Sequence, residues 1–147
     1  MLHGTQRALK HSETTEKVIG AFYAVYNELG PGFLESVYQR SMTIALQELG
    51  LKADCELPVA VWFRGQQVGD FRADLCVDDA VLLELKTARS IDPAHEAQIM
   101  HYLRATKFEV GLLLNFGPKA EFRRVILDNH FKKIREIREI RGEVLPQ

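Results

Sequence analysis

The sequence predicts an α/β domain built on one mixed sheet flanked by helices. Three observations carry this. Two segments with apolar residues at helical spacing open the chain, three strand-like runs joined by short turns follow, and a further helix separates these from two more strands. Short turns suit an antiparallel meander for the first three strands, and the crossover helix then permits a parallel neighbour. At 147 residues the chain fits one domain with a proper core.

The elements follow in order. Residues 1–12 are polar and aperiodic, so a loose arm is expected ahead of a domain at 13–128. From Glu13 to Leu29, Val18, Ile19, Phe22, Val25, Tyr26 and Leu29 recur at helical spacing, and Gly30-Pro31-Gly32 breaks that helix. A second helix is expected from about Phe33 to Leu49, with Gly50 as its C-terminal cap. Strands are expected near 53–63, 68–77 and 81–86, with turns at Arg64-Gly65-Gln66-Gln67 and Asp78-Asp79-Ala80. Asp92 caps a third helix with Pro93 in its first turn, where the missing N–H costs nothing, and that helix should end near Lys107. Phe108–Phe116 reads as a buried strand, Gly117-Pro118 as a turn and Phe122–Leu127 as the last strand. Residues 129–147 form a basic amphipathic tail, expected to be helical through Ile134, Ile137 and Ile140.

Composition narrows the function classes. No apolar run approaches the ~20 residues needed to cross a bilayer, and the first residues lack the apolar core of a secretory signal. Cys55 and Cys76 form no CxxC pair and are expected to be reduced core thiols, which points to a cytoplasmic location. A net charge of −1 argues against a protein coated in positive charge. Between Lys119 and Arg141, however, eight basic residues stand against four acids. That stretch could track a phosphate backbone or be a solvated helix face. There is no GxxxxGK[ST] phosphate loop.

The chemistry concentrates in Val81-Leu82-Leu83-Glu84-Leu85-Lys86. Glu84 and Lys86 are two apart in an otherwise apolar strand, so both point to one face. Charge in such a segment is costly without a purpose. Asp74 interrupts the preceding strand. It shares a face with Glu84 only if the hairpin has an odd loop, so a three-residue loop pairing Val77 with Val81 and Asp74 with Glu84 is expected. Phe71, Ala73, Leu75, Val77, Val81, Leu83 and Leu85 would then form one apolar face, with Asp74, Glu84 and Lys86 on the other and Arg72 and Asp70 beyond. Two opposed carboxylates repel unless a cation lies between them. Hard oxygen ligands suit Mg²⁺ or Mn²⁺, which would polarise a phosphoryl oxygen and acidify a water. Lys86 could orient that water or stabilise phosphate charge. The competing reading is a salt bridge of Asp74 or Glu84 with Lys86 or Arg72 at a sheet edge.

Two helices add candidates. Gln98 and Tyr102 are four apart and share a face with His95 and His101, while Ile99, Met100 and Leu103 face the core. That polar stripe could bond to phosphates or bases, or be an ordinary solvent face. Glu35 heads a stripe of Tyr38, Met42, Ala45 and Leu49, either as an acid favoured by the helix dipole or as a further metal ligand.

Asp74, Glu84-Leu85-Lys86 and Gln98-x-x-x-Tyr102 resemble the PD-(D/E)xK nuclease superfamily, especially its RecB-type branch with a QxxxY motif. Gly32-Phe33-Leu34-Glu35-Ser36-Val37-Tyr38 resembles the signature of the GxxExxY protein family within it. Phe71-Arg72-Ala73-Asp74-Leu75, His95-Glu96-Ala97-Gln98, Tyr102-Leu103-Arg104-Ala105-Thr106 and Gly111–Gly117 resemble further blocks of that family, over roughly residues 13 to 127. Ala73 stands where the name motif has Pro. The resemblance implies a restriction-endonuclease-like αβββαβ core. It implies Mg²⁺ or Mn²⁺ held by Asp74, Glu84 and the Leu85 carbonyl, with Glu35 as an added acidic ligand or water-organising group. Lys86 would be the catalytic lysine alongside Asp74 and Glu84. Gln98 and Tyr102 would contact substrate or brace the site, and Tyr38 would support it. The expected function is a divalent-metal-dependent nuclease acting on nucleic acid, DNA ahead of RNA, with homodimerisation open. The alternatives are a non-catalytic nucleic-acid- or protein-binding module on the same scaffold and a Mg²⁺-dependent hydrolase of small phosphoesters or nucleotides.

Overall fold

The structure, a computed structural model, describes residues 10–132 of the chain. Helices α1 (Ser12–Leu29) and α2 (Glu35–Glu48) precede strands β1 (Ala53–Phe63), β2 (Gln66–Val77) and β3 (Val81–Lys86). Helix α3 (Pro93–Arg104) leads to β4 (Val110–Phe116) and β5 (Ala120–Ile126), and a short 3₁₀ turn spans Asn129–Phe131. The arm and the helical tail expected from sequence fall largely on residues outside those described. No described helix is long and apolar enough to cross a membrane.

The five strands form one sheet in the order β1-β2-β3-β4-β5. The meander is antiparallel, β3 and β4 are parallel across α3, and β5 returns antiparallel. This is the mixed, helix-flanked sheet of the restriction-endonuclease-like fold. On one face, Val18 and Phe22 of α1 and Tyr38, Met42 and Leu46 of α2 pack on Leu75, Val77, Leu83, Leu112 and Phe116. On the other, Tyr102 and Leu103 of α3 pack with Val59, Ala73, Cys76 and Leu82. With both faces covered, every residue of β4 is buried. Gly111 lets α3 approach β4, because a Cβ there would lie 2.7 Å from Ile99 Cδ1. Pro58, which has no N–H to donate, sits on the edge strand β1.

Local chemistry sets the element ends. Asp92 Oδ1 accepts from the Ala94 N–H at 2.7 Å and His95 Nδ1 accepts from the Asp92 N–H at 3.2 Å, a capping box around Pro93. His95 is therefore spent on the cap. Helix α3 stops at Arg104 rather than near Lys107: Ala105 caps it, and the Thr106 hydroxyl donates back to Tyr102 O. Leu49 lies past the end of α2 and is exposed, so the buried stripe is Tyr38, Met42 and Leu46. Arg64 and Gly65, both at positive φ (50° and 76°), close a two-residue hairpin, and β2 starts at Gln66 instead of 68. Cys76 is buried as expected, but Cys55 is exposed; both are free.

The β2–β3 loop has the odd length that apolar alternation demands, with Val77 opposite Val81 and Leu75 opposite Leu83. The single apolar face expected along β2 does not form. Leu75 and Val77 pack toward α1 and α2, whereas Ala73 packs toward α3 and Phe71 lies against Tyr102. The strand turns over at Asp74. Its β1 ladder passes from Cys55↔Leu75 to Leu57↔Ala73, skipping Glu56, which is left-handed at φ 56°. Two-residue periodicity cannot survive that interruption.

Candidate functional site

Pairing of β2 with β3 ends at Leu75↔Leu83, and the next two side chains fill the gap. The Asp74 N–H donates to Glu84 Oε1 at 3.1 Å, and the Leu85 N–H donates to Asp74 Oδ2 at 2.7 Å. Each carboxylate thus satisfies a backbone donor that the ladder would otherwise have used. Glu84 is 4% exposed. Burial, and next the charge of Asp74, push its carboxyl up to about 8, against the partial relief of its bond from the Asp74 N–H and the charge of Lys86. Asp74 is also raised, first by burial, with Glu35 and Glu56 adding repulsion and the Leu85 N–H and Lys86 opposing it.

On the α2 side of this pair lies a cavity of about 210 Å³ lined by Glu35, Ser36, Gln39, Glu56, Asp74 and Leu85. Glu35 stands exposed in the first turn of α2. Gln39, one turn on, donates from Nε2 to Asp74 O at 2.8 Å and ties the helix to β2. Sequence reasoning missed Gln39 and Glu56. The i, i+4 relation of Gln39 to Glu35 was an available signal. Glu56 had none, because the two-residue hairpin turn would place Cys55 opposite Asp74. The irregularity between Val61 and Trp62 shifts the register by one and puts Glu56 there.

The loop before Glu35 is held from within. The fully buried Tyr38 donates its hydroxyl to Gly30 O at 2.6 Å and accepts from the Phe33 N–H at 3.2 Å. Its ring stacks on Phe116, with centroids 4.2 Å apart and planes at 15°. Gly32, at φ 108°, allows the chain to turn between those two contacts.

Lys86 ends β3 half-buried, opposite Asn115 of β4 and within electrostatic reach of both carboxylates. Asn115, fully buried, accepts from the Ala88 N–H at 2.9 Å and donates to Ala88 O at 3.0 Å, clamping the chain just after Lys86. On α3, Gln98 Nε2 donates to the Tyr102 hydroxyl at 3.3 Å. Tyr102 is 7% exposed and packs in the core, so the expected polar stripe is split between a buried phenol and an exposed His101. Burial, then the charge of Glu84, raises the Tyr102 pKa, so the phenol senses the carboxylate site.

Among the described residues, no three His, Cys, Asp or Glu side chains converge closely enough to hold a metal ion as they stand. The donor set nevertheless suits a hard divalent cation. It consists of carboxylate oxygens whose proton affinity is raised first by burial and then by their mutual repulsion, and a bound cation would offset both.

A solved structure described as "Crystal structure of SSO0001" is similar to this chain at 22% identity and a TM-score of 0.50, which bears on the fold alone. The likeness covers 85% of this chain and 64% of that one, so this chain spans less than two-thirds of its length. No curated protein matches. Residues 12–125 match the family model for the PD-(D/E)XK nuclease superfamily, a stretch running from the start of α1 nearly to the end of β5 and containing Glu35, Asp74, Glu84, Lys86, Gln98 and Tyr102. The chain belongs to the PD-(D/E)XK nuclease superfamily.

Proposed function

We propose that the protein is a divalent-metal-dependent nuclease that hydrolyses phosphodiester bonds, with DNA the favoured substrate. The observation that carries this reading is the Asp74–Glu84 pair lodged between β2 and β3, with Lys86 two residues on. Setting a buried Glu84 against a half-buried Asp74 is costly even with a backbone N–H donated to each, whereas it suits the capture of a cation.

Asp74 and Glu84 would hold Mg²⁺ or Mn²⁺, with the Leu85 carbonyl and Glu35 as further oxygen donors at the cavity. The chemistry supplied by such an ion is Lewis-acid polarisation of a phosphoryl oxygen and acidification of a water. Lys86 lies within electrostatic reach of the carboxylates, from where its ammonium would stabilise charge growing on the phosphate or orient the attacking water. The Asn115 clamp holds the chain after Lys86 and limits drift of its backbone. Tyr38 fixes the loop that presents Glu35, while Tyr102, within electrostatic reach of Glu84, and its partner Gln98 would contact the substrate or brace the site from α3.

A second reading, a binding module without catalysis, draws on the bonds that Asp74 and Glu84 already make to backbone N–H groups. Calorimetric titration with Mg²⁺ and Mn²⁺, alongside cleavage of single-stranded DNA, duplex DNA and RNA, separates the two. The nuclease reading expects metal binding and cleavage in the wild type, both lost in Glu84→Ala. Lys86→Ala should keep metal binding and lose cleavage. A wild type that binds neither ion and cuts no substrate sinks the nuclease reading in favour of the binding module. Gel-filtration mass with and without DNA reports whether the active unit is a homodimer.

A further inference from the structure

A second cavity, of about 460 Å³, lies between the β1–β2 hairpin and α3 and has Tyr102 in its lining. Its volume falls within the range of pockets that enclose small organic ligands. Trp62, Phe71 and Tyr102 supply aromatic walls, and Gln98, His101 and Arg104 supply polar groups from α3. Trp62 and Phe71 are 40% and 48% exposed, a large aromatic surface left facing solvent.

The local backbone builds this pocket. The irregularity between Val61 and Trp62 lets consecutive residues of β1 line one cavity, which a regular strand with alternating faces would not do. Gly69 leaves room for the Phe71 ring, since a Cβ there would stand 2.9 Å from Phe71 Cε2. Phe71 and Tyr102 have centroids 6.0 Å apart and planes inclined at 38°, forming an open corner.

We propose that this pocket binds an unpaired nucleobase of the strand whose phosphate is engaged at Asp74 and Glu84. This rests on the nuclease reading and extends it to the form of the substrate. A base presents a π-face and a hydrogen-bonding edge. The aromatic walls match the first, and the Gln98 amide and His101 imidazole match the second. Arg104, on the exposed surface of α3, suits the adjoining phosphate. An apolar protein side chain would use the walls and leave the polar groups idle. Tyr102 connects the two sites: it lines this pocket and lies within electrostatic reach of Glu84 and Asp74. A base inside a duplex is stacked on both faces, so it enters only when unpaired or flipped out.

Trp62 is the only tryptophan in the chain, so its fluorescence reports on this pocket. The 147-residue chain in EDTA would be titrated with a short single-stranded DNA, the same sequence as RNA, an abasic DNA strand of equal length and a blunt duplex. Single strands bearing bases should quench Trp62 and bind about tenfold more tightly than the abasic strand, as expected for one stacked base. The stronger of the DNA and RNA responses identifies the polymer. Phe71→Ala should remove most of that preference. Ala94→Leu, which narrows the same cavity from an exposed helix position, should do so without deleting packing. Equal binding and quenching by the abasic strand, or an unchanged preference in both variants, overturns the pocket assignment. If duplex DNA is cut with Mg²⁺ while no strand quenches Trp62, the pocket fails and the nuclease reading stands. If no nucleic acid binds or is cut, both fail.

Discussion

Replacing Glu84 with Gln should stabilise the metal-free protein at neutral pH while abolishing the proposed activity. Glu84 is 4% exposed, and burial with the nearby Asp74 charge moves its carboxyl from an ordinary 4.5 to about 8. The unfolded chain ionises this group near its ordinary value. Between pH 4.5 and about 8 the folded protein therefore keeps a proton that the unfolded chain has released. Stability conferred by the protonated group is fully present below the lower value and is lost as pH rises through the upper one, at up to about 1.4 kcal/mol per pH unit. By pH 7 the accumulated loss is roughly 3 kcal/mol. Glutamine keeps an acceptor for the Asp74 N–H and does not ionise. Urea unfolding of wild type and Glu84→Gln in EDTA should give similar midpoints near pH 4.5 and a growing advantage for the variant, to roughly 3 kcal/mol at pH 7. Mg²⁺ should then raise the wild-type midpoint and leave the variant unmoved. A difference that stays flat between pH 5 and 8 would refute the claim that Glu84 is held protonated by its surroundings.

Tyr38→Phe keeps the stack on Phe116 but loses the hydroxyl that joins Gly30 O and the Phe33 N–H. It should cost about 1–3 kcal/mol in urea unfolding and speed hydrogen exchange in the loop before Glu35. Gly117→Ala would bring a Cβ to 2.1 Å from Ala88 O, so the loop after Lys86 must move. A loss of about 1–3 kcal/mol, read by thermal melting, is expected with reduced cleavage. Lys132, 5% exposed, donates to Thr106 O and Phe108 O, and burial depresses its pKa from 10.5 to about 8. Below about 8 it is charged in both states; between about 8 and 10.5 only the unfolded chain holds the extra proton, so stability should rise with pH. Relative to Lys132→Met, the wild type should gain up to about 3 kcal/mol over that interval by urea unfolding.

Much of the fold was legible because its signals are local. The hairpin loop at Asp78-Asp79-Ala80 could be read from alternation alone, since an even loop would have turned apolar residues to the wrong face. Asp92-Pro93 marked the start of α3 through backbone chemistry within one turn, although the role of His95 in that cap did not show. The continuous apolar face along β2 failed at Asp74 for a different reason. Two carboxylates replace ladder bonds there, and a left-handed Glu56 sits opposite, so alternation resets. Tyr102 looked like the polar end of a stripe, yet α3 rotates it into the core.

The sequence by itself determined the element order, the mixed sheet and the residue types at the candidate site: Glu35, Asp74, Glu84, Lys86, Gln98 and Tyr102. Periodicity, turn chemistry and the cost of a charge within an apolar strand are properties of neighbouring residues. Only the tertiary structure decided that Glu56 faces Asp74, that Gln39 ties α2 to β2, and that Trp62 and Phe71 wall a cavity beside Tyr102. Each depends on an interruption in strand pairing or on packing between distant elements. A one-residue register shift changes which side chains meet, and no stretch of neighbouring residues records it.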